Sequence, residues 1–172
     1  MLGFVEAVKI CFSKFVDFKG RARRSEYWWF TLFCMLISWV LNLLSGIWPI
    51  FGTICLLVFF LLLIPSCSVQ TRRLHDTGRS GWWVVVQVLL MFTVYGSLCA
   101  MLLPYADKVM VLTDNMEMMN LMMDAFEQSP TAVAVMGISA FLLAIITIII
   151  IVFSVKDSHW NENKYGPSPK YQ

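Results

Sequence analysis

The sequence predicts an all-α membrane protein with four transmembrane helices, and three observations support this fold class. Hydrophobic residues make up 59% of the 172-residue chain, charged residues only 14%, and the mean hydropathy is +0.72. Soluble proteins carry about 25% charged residues. The apolar residues fall into four uncharged runs of roughly 20 residues, and a helix of that length crosses a hydrocarbon core of about 30 Å. We therefore predict one integral membrane domain over residues 1–172.

The first element is an amphipathic helix over residues 4–18. Its apolar positions recur at helical spacing and comprise Phe4, Val8, Cys11, Phe15 and Phe18. Glu6, Lys9, Ser13 and Asp17 fall on the opposite face. An N-terminal amphipathic helix of this kind suits the headgroup boundary of a bilayer, which makes it an interfacial helix. Packing of the same face on the transmembrane bundle is an equally good interpretation.

The four predicted spans cover residues 28–47, 50–69, 82–103 and 132–155. In lipid, a continuous apolar run satisfies its own backbone hydrogen bonds as a helix. Strands of a β-barrel would alternate apolar and polar residues over about ten positions, and these runs do not. Pro49 breaks the first two spans into a tight hairpin. Pro65 lies inside the second span and is expected to kink that helix or end it.

Lys and Arg are distributed unevenly among the segments that flank the spans. The segments before the first span, between the second and third, and at 156–172 are basic. The hairpin between the first two spans has no Lys or Arg, and residues 104–131 carry Lys108 beside five acids. Cytoplasmic segments carry the excess of Lys and Arg, so we expect both termini and the tail 156–172 in the cytoplasm. The interface anchors are then Trp28, Trp29, Trp82 and Trp83 on the cytoplasmic side and Trp48 on the other.

The segment between the last two spans contains a short amphipathic helix in an external loop. Its apolar positions alternate spacings of four and three residues and comprise Leu112, Met116, Met119, Met123 and Phe126. Thr113 or Asp114 is expected to cap its start, and Ser129-Pro130 to end it. Thioethers also bind Cu(I), but the spacing accounts for the methionines as an apolar face without a metal. The five cysteines form no CxxC pair, and we predict neither a metal site nor a cofactor.

Polar residues concentrate in three stretches that a four-span bundle brings to one cytoplasmic face. Candidates for binding a ligand or a lipid headgroup are Arg21, Arg24, Arg72, Arg73, His75 and Arg79. Glu26 and Asp76 are candidates for structural pairing with these arginines. In one interpretation, Arg forks hold a phosphate or carboxylate and His75 titrates near neutral pH. In the other, which we favour, the acids tie the segments together and the remaining Arg side chains contact anionic headgroups. A His–Asp pair without a nucleophile is a weak catalytic indication.

The predicted role is that of a binding or assembly component whose basic cytoplasmic face contacts anionic lipid or an acidic partner. The predicted partners are membrane lipids with anionic headgroups and either a second copy of the chain or another membrane protein, and not nucleic acid. One alternative is a membrane enzyme that acts on a phosphate-bearing lipid and needs His75 and Asp76. Another is a subunit of an oligomeric channel or transporter with Asn42 or Gln87 facing a pore. The spans hold no ionisable residue at mid-membrane, which disfavours a pump or carrier.

Three motifs occur in order along the chain: GRARRSEYWWF at 20–30, RRLHDTGRSGWW at 72–83, and NENKYGPSPK in the tail. Together they resemble the bacterial inner-membrane family called domain of unknown function 805, over essentially the whole chain. The resemblance implies a small helical protein of the bacterial inner (plasma) membrane and implies no activity. The positions it covers are Arg21, Arg24, Glu26, Trp28, Arg72, Arg73, His75, Asp76, Gly78, Arg79, Gly81, Trp82, Tyr165, Gly166 and Pro167. The Met-rich loop departs from the family pattern.

Overall fold

The computed structural model describes residues 2–48, 50–111, 115–158 and 161–169. These residues form seven α-helices and one turn of 3-10 helix at Leu103–Tyr105. The helices are α1 (Phe4–Ser13), α2 (Arg24–Ser45), α3 (Ile50–Asp76), α4 (Trp82–Leu102), α5 (Ala106–Val111), α6 (Asn115–Gln128) and α7 (Pro130–Val155). Within the described ranges there is no β-strand, and one isolated bridge joins Asn163 to Gly166. The predicted all-α class is confirmed.

Four helices are long and apolar enough to cross a membrane, and they correspond to the four predicted spans. They are α2, α3, α4 and α7, with the helical stretch of the third running on to Lys108. The helix that contains the second predicted span, residues 50–69, continues to Asp76. Pro65 lies inside α3 and does not end it. The extension carries Arg72, Arg73 and His75 as helical residues, which fixes their direction toward neighbouring segments.

The chain divides into two units. The first comprises α1, α2, α3, the first turn of α4, the end of α7 and the tail. The second comprises the rest of α4 and α7 with α5 and α6 between them. The core of the first unit includes Cys11, Ala22, Tyr27, Phe30 and Leu62. In the second unit, Gln87 Nε2 donates a hydrogen bond to Thr147 Oγ1 at 3.1 Å and joins α4 to α7.

Helix α1 is shorter than predicted and packs on α2. It ends at Ser13 rather than residue 18, and the hydroxyl of Ser68 in α3 lies 3.0 Å from the carbonyl oxygen of Lys14, just beyond that end. The ring of Phe12 meets those of Phe30 and Phe33 edge-on, with centroids 5.7 and 5.8 Å apart. Phe12 was not assigned to the predicted apolar face, but two residues of that face make contacts as well: Cys11 is buried in the core, and the centroid of the Phe4 ring lies 5.8 Å from that of Trp29. The position of α1 relative to lipid headgroups stays a prediction.

The predicted external helix corresponds to α6, which begins at Asn115. The proposed capping residues Thr113 and Asp114, and the first apolar position Leu112, lie outside the described residues. Within α6, Leu121 and Ala125 are buried. The methionines that the spacing assigned to the apolar face are not covered by the rest of the protein.

Candidate functional site

The start of α2, the end of α3 and the end of α7 meet the tail in one polar region, which we call the junction (residues 20–27, 71–83, 153–158 and 161–169). Asp76 lies at its centre, at the C-terminus of α3, with a fully buried side chain. Its Oδ1 accepts a hydrogen bond from Arg21 Nε at 2.9 Å, and its Oδ2 accepts one from Arg73 Nη1 in the same helix. The side chains of Arg21 and Arg73 are 1% and 0% exposed. One carboxylate therefore neutralises part of two buried cations, and the negative end of the α3 dipole favours both.

Arg73 connects α3 to the end of α7. Its Nε donates to the carbonyl oxygen of Ser154 at 3.1 Å, and its Nη2 donates to that of Lys156. Its Nη1 also lies 3.4 Å from the carbonyl oxygen of Ala22. A guanidinium stays protonated in proteins, and burying it is tolerated when its N–H groups have acceptors. Arg73 therefore acts as a buried cross-link between segments that are far apart in sequence.

Arg21 connects the same centre to the tail. Its Nη1 donates to the carbonyl oxygens of Asn161 at 3.0 Å and Gly166 at 3.2 Å. The tail reverses between these positions in a tight turn, in which the N–H of Gly166 donates to the carbonyl of Asn163 at 2.9 Å. Gly166 has a φ of 115°, in a region that residues with a Cβ rarely adopt. The glycine lets the turn aim backbone carbonyls at the arginine.

His75 holds the other side of the same turn. Its imidazole stacks on the ring of Tyr165 with centroids 3.7 Å apart and planes at 5°. Its Nδ1 lies 3.3 Å from the carbonyl oxygen of Gly20, and its own carbonyl accepts from Asn163 Nδ2 at 2.9 Å. Tyr165 belongs to the third motif, but the sequence did not predict its contact with His75. These contacts make His75 part of the attachment of the tail.

A second buried ion pair joins α3 to α2. Arg72 Nη1 donates to Glu26 Oε1, and the two side chains are 1% and 6% exposed. The Cys11 thiol lies 4.0 Å from the same oxygen. Burial first, and the Glu26 carboxylate second, raise the pKa of the Cys11 thiol to about 12, so the thiol stays protonated at neutral pH. Nε and Nη2 of Arg72 are buried and find no acceptor among the described residues.

Of the six residues predicted to bind a ligand or headgroup, four are buried: Arg21, Arg72, Arg73 and His75. Arg24 and Arg79 are the two with solvent-accessible charge. The side chain of Arg24 is 42% exposed, and its Nη1 lies 3.8 Å from Asp157 Oδ1. Its Nε donates to the carbonyl of Lys156 at 2.8 Å. The two predicted pairing acids, Glu26 and Asp76, both contact arginines from other segments or turns.

A second group of exposed cations lies at the end of α7, and we call it the Phe153 cluster (Phe153, Arg79, Lys156 and Trp83). The guanidinium carbon of Arg79 is 4.7 Å from the centroid of the Phe153 ring, and Lys156 Nζ is 5.6 Å from it. The Trp83 ring meets Phe153 edge-on at 6.2 Å. Trp82, next to it in sequence, is 72% exposed. Phe153 was not predicted from the sequence, because nothing marks one Phe within an unbroken apolar run.

The predicted interface anchors are placed on the outside of the protein. The exposed fractions are 39% for Trp28, 38% for Trp29, 58% for Trp48 and 72% for Trp82, while Trp83 is half-buried against Phe153. Their depth in a bilayer stays a prediction. In the described part of the chain, no group of three or more His, Cys, Asp or Glu side chains is arranged to hold a metal ion.

Gly81 permits the close approach of α3 to the start of α4. A Cβ at this position would lie 2.6 Å from Thr71 Cγ2 and 3.4 Å from His75 Nε2. Contacts below 3.0 Å require a neighbouring atom to move. Thr71 is buried and β-branched, so its methyl group has little freedom to turn away. The absence of a side chain at Gly81 is therefore a packing requirement.

We expect Gly81→Ala to lower the free energy of unfolding by about 1–3 kcal/mol, because the added methyl overpacks the contact with Thr71. Thr71→Ser removes the methyl group that the new Cβ would strike, so the double variant should regain most of the lost stability. Equilibrium unfolding in mixed detergent micelles measures both. A Gly81→Ala protein as stable as the parent would contradict the packing argument.

The chain is similar in sequence to two curated proteins of Escherichia coli (strain K12). It is 42% identical to inner membrane protein YhaH over 77 residues, which cover 42% of this chain and 64% of YhaH. It is 41% identical to inner membrane protein YhaI over 76 residues, which cover 42% of this chain and 62% of YhaI. The chain thus spans less than two thirds of the length of either relative. No solved structure matches it.

The family described as "Protein of unknown function (DUF805)" has a sequence profile that matches residues 15–167. That range contains the first two motifs, the third as far as Pro167, and every junction residue that forms a buried ion pair. The four membrane-spanning helices lie within it as well. With most of its length matched, and with inner membrane proteins as its curated relatives, the chain belongs to the DUF805 family of proteins.

Proposed function

We propose that this protein is a non-enzymatic binding or assembly component of the inner membrane, whose basic junction holds anionic phospholipid headgroups. The observation that carries the proposal is the Phe153 cluster. There, the cationic groups of Arg79 and Lys156 both lie over the ring of Phe153, at the end of an apolar helix. Two exposed cations beside one ring at a helix end supply the positive charge that a lipid phosphate binds.

The chemistry of the two cations suits a phosphate. An Arg stacked on a ring keeps the edge of its guanidinium available for bidentate hydrogen bonds to phosphate oxygens. Lys supplies a compact charge beside it. Within the described residues, the Arg79 guanidinium has no carboxylate partner closer than 4.0 Å. Each such cation contributes roughly 1 kcal/mol near an anionic surface. Trp82 and Trp83 supply indoles of the kind that lie at headgroup depth.

The buried arginines serve a different purpose in this proposal. Arg21, Arg72 and Arg73 cannot contact headgroups while they are paired with Asp76 and Glu26. They instead fix the ends of three membrane-spanning helices and the tail to one another. The exposed cations Arg24, Arg79 and Lys156 are attached to this fixed base. The junction therefore presents its positive charge at defined positions, which reduces the entropy lost when a headgroup binds.

Two alternatives draw less support from the geometry. An enzyme that uses Asp76 as a base needs a free carboxylate oxygen, and both oxygens of Asp76 accept from buried arginines. A pore lined by Gln87 needs that amide to face the lumen, and it donates to Thr147 inside its own unit. Asn42 donates to the carbonyl of Ser38 in its own helix. A binding role requires no rearrangement of these contacts.

Lipid binding can be measured as a shift in thermal stability in detergent. Phosphatidylglycerol should raise the melting temperature of the parent more than phosphatidylcholine does, because it binds the folded state. Arg79→Gln and Lys156→Gln should each reduce that rise. Lys108→Gln is the matched control, since Lys108 also lies over an aromatic ring, that of Tyr105, but in an acidic segment. Equal shifts with both lipids, or equal reductions in all three variants, would overturn the proposal.

The orientation that we propose places both termini and the junction in the cytoplasm, in line with the excess of Lys and Arg there. Reporter fusions after Trp48, Asn120 and Tyr171 test it. A periplasm-dependent reporter should be active at Trp48 and Asn120 and inactive at Tyr171. Activity at Tyr171, or its absence at Asn120, would show that the orientation is wrong.

A further inference from the structure

Helix α6, in the second unit, leaves an apolar stripe uncovered. Met119, Met123 and Phe126 are 59%, 58% and 38% exposed, and their spacing of four and three residues places them on one face. The buried residues Leu121 and Ala125 lie on another face, at 7% and 0% exposure. The unit therefore uses one side of α6 for its own packing and leaves the methionine side open.

One edge of this stripe is acidic. At about 100° per residue, Glu127, Asp124 and Glu117 follow Met123 around the helix in that order. All three acids are exposed, and α6 contains no Lys or Arg. Lys108 shares a shallow cleft with Glu117 and Asp124. Three acids against one lysine leave the edge negative.

This combination disfavours a membrane surface as the occupant. Helices that lie in the headgroup region have polar faces rich in Lys and Arg and apolar faces with Trp, Phe and Leu. The polar edge of α6 carries the opposite charge, and anionic headgroups repel it. Its apolar stripe consists mainly of methionine, a flexible and polarisable side chain that is common on surfaces which accept partner helices.

We propose that α6 is a docking surface for a basic amphipathic helix of a partner protein. The apolar side of that helix would cover Met119, Met123 and Phe126, as helices do when they bind through residues at spacings of three and four. Its Lys and Arg residues would lie against the acidic edge. The site is in a different unit from the junction and does not depend on lipid binding there.

The test uses the full-length protein in phosphatidylcholine nanodiscs, which do not attract cations. The probe is a fluorescent amphipathic peptide built from Leu and Lys, and the matched control peptide is built from Leu and Glu. Fluorescence anisotropy should detect binding of the Leu–Lys peptide to loaded nanodiscs above its binding to empty ones.

We expect M119Q/M123Q to weaken that binding about tenfold, because two apolar contacts are lost. M119L/M123L should retain it within about twofold, because volume and apolarity are conserved.

A second pair of variants tests the charge. E117Q/E127Q should weaken binding at low salt and reduce its dependence on ionic strength. Circular dichroism and the melting temperature should be unchanged in every variant, since the altered side chains are exposed. Equal affinity of the parent and M119Q/M123Q, or equal binding of the two peptides, would overturn the proposal. So would quenching by brominated lipid of a dye at an M123C substitution, because it would place the stripe in the membrane.

Discussion

Replacing Asp76 with Ala is expected to lower the free energy of unfolding by about 3–5 kcal/mol, the usual loss when one partner of a buried ion pair is removed. Asp76 accepts hydrogen bonds from two guanidinium groups, those of Arg21 and Arg73, with side chains 1% and 0% exposed. Without the carboxylate, two positive charges remain close together and away from water. Equilibrium unfolding in mixed micelles of increasing sodium dodecyl sulfate measures the difference.

The matched control for this prediction is Asp157→Ala. Asp157 lies 3.8 Å from Arg24, and the side chains of that pair are 59% and 42% exposed. Exposed pairs contribute about 0–1 kcal/mol, so this substitution should change stability little. Asp76→Asn keeps the shape and two polar atoms but removes the charge, and an intermediate loss is expected. If Asp76→Ala and Asp157→Ala had equal effects, the buried network would not stabilise the fold.

Replacing Glu26 with Ala is expected to cost about 3–5 kcal/mol as well, because Arg72 would keep a buried charge without any acid. This pair differs from the Asp76 centre in one respect. Nε and Nη2 of Arg72 are already buried without an acceptor among the residues that the structure describes, so the pair is incompletely satisfied there even in the parent. The arginine therefore gains little from burial except through Glu26.

That difference predicts a rescue. In Glu26→Leu with Arg72→Met, both charges and the unsatisfied N–H groups disappear together, and replacement of a buried pair by apolar residues is often neutral or stabilising. The free energy of unfolding of the double variant should equal or exceed that of the parent, to within about 1–2 kcal/mol. It should be clearly higher than that of Glu26→Ala. The same unfolding assay compares all three. A double variant no better than the single one would indicate that the charges themselves are required for the fold.

Much of the fold was predictable because lipid imposes helices on apolar runs. The extension of α3 through Arg72, Arg73 and His75 was not, because a basic stretch after an apolar run has the composition of a cytoplasmic loop. It is helical here because Asp76 and Glu26 neutralise it. A rule based on local hydropathy cannot include an acid from another helix, as Glu26 is for Arg72.

The residue types of the candidate site were predictable from the sequence. Which arginine pairs with which acid was less predictable. The motifs identified Asp76, Glu26 and the arginines, but two arginines share one acid while a third has its own. Arg21 and Arg73 donate to the backbone carbonyls of Ser154, Lys156, Asn161 and Gly166, and carbonyls are groups that every residue possesses and that leave no mark in a sequence. Phe153 was equally hidden, since its role depends on Arg79 and Lys156 meeting over one ring.

The backbone contacts of the two central arginines also govern when the protein can finish folding during its synthesis. Arg73 finds acceptors 81 and 83 residues further along the chain, and Arg21 finds one 145 residues further along. When α3 leaves the ribosome, the carboxylate of Asp76 is already available to both arginines. The N–H groups that donate to Ser154, Lys156, Asn161 and Gly166 lack these acceptors until residues 154–166 have been translated. A nascent chain that stalls before that point has an incomplete junction. The arginines therefore become buried only after the last helix and the tail have been synthesised.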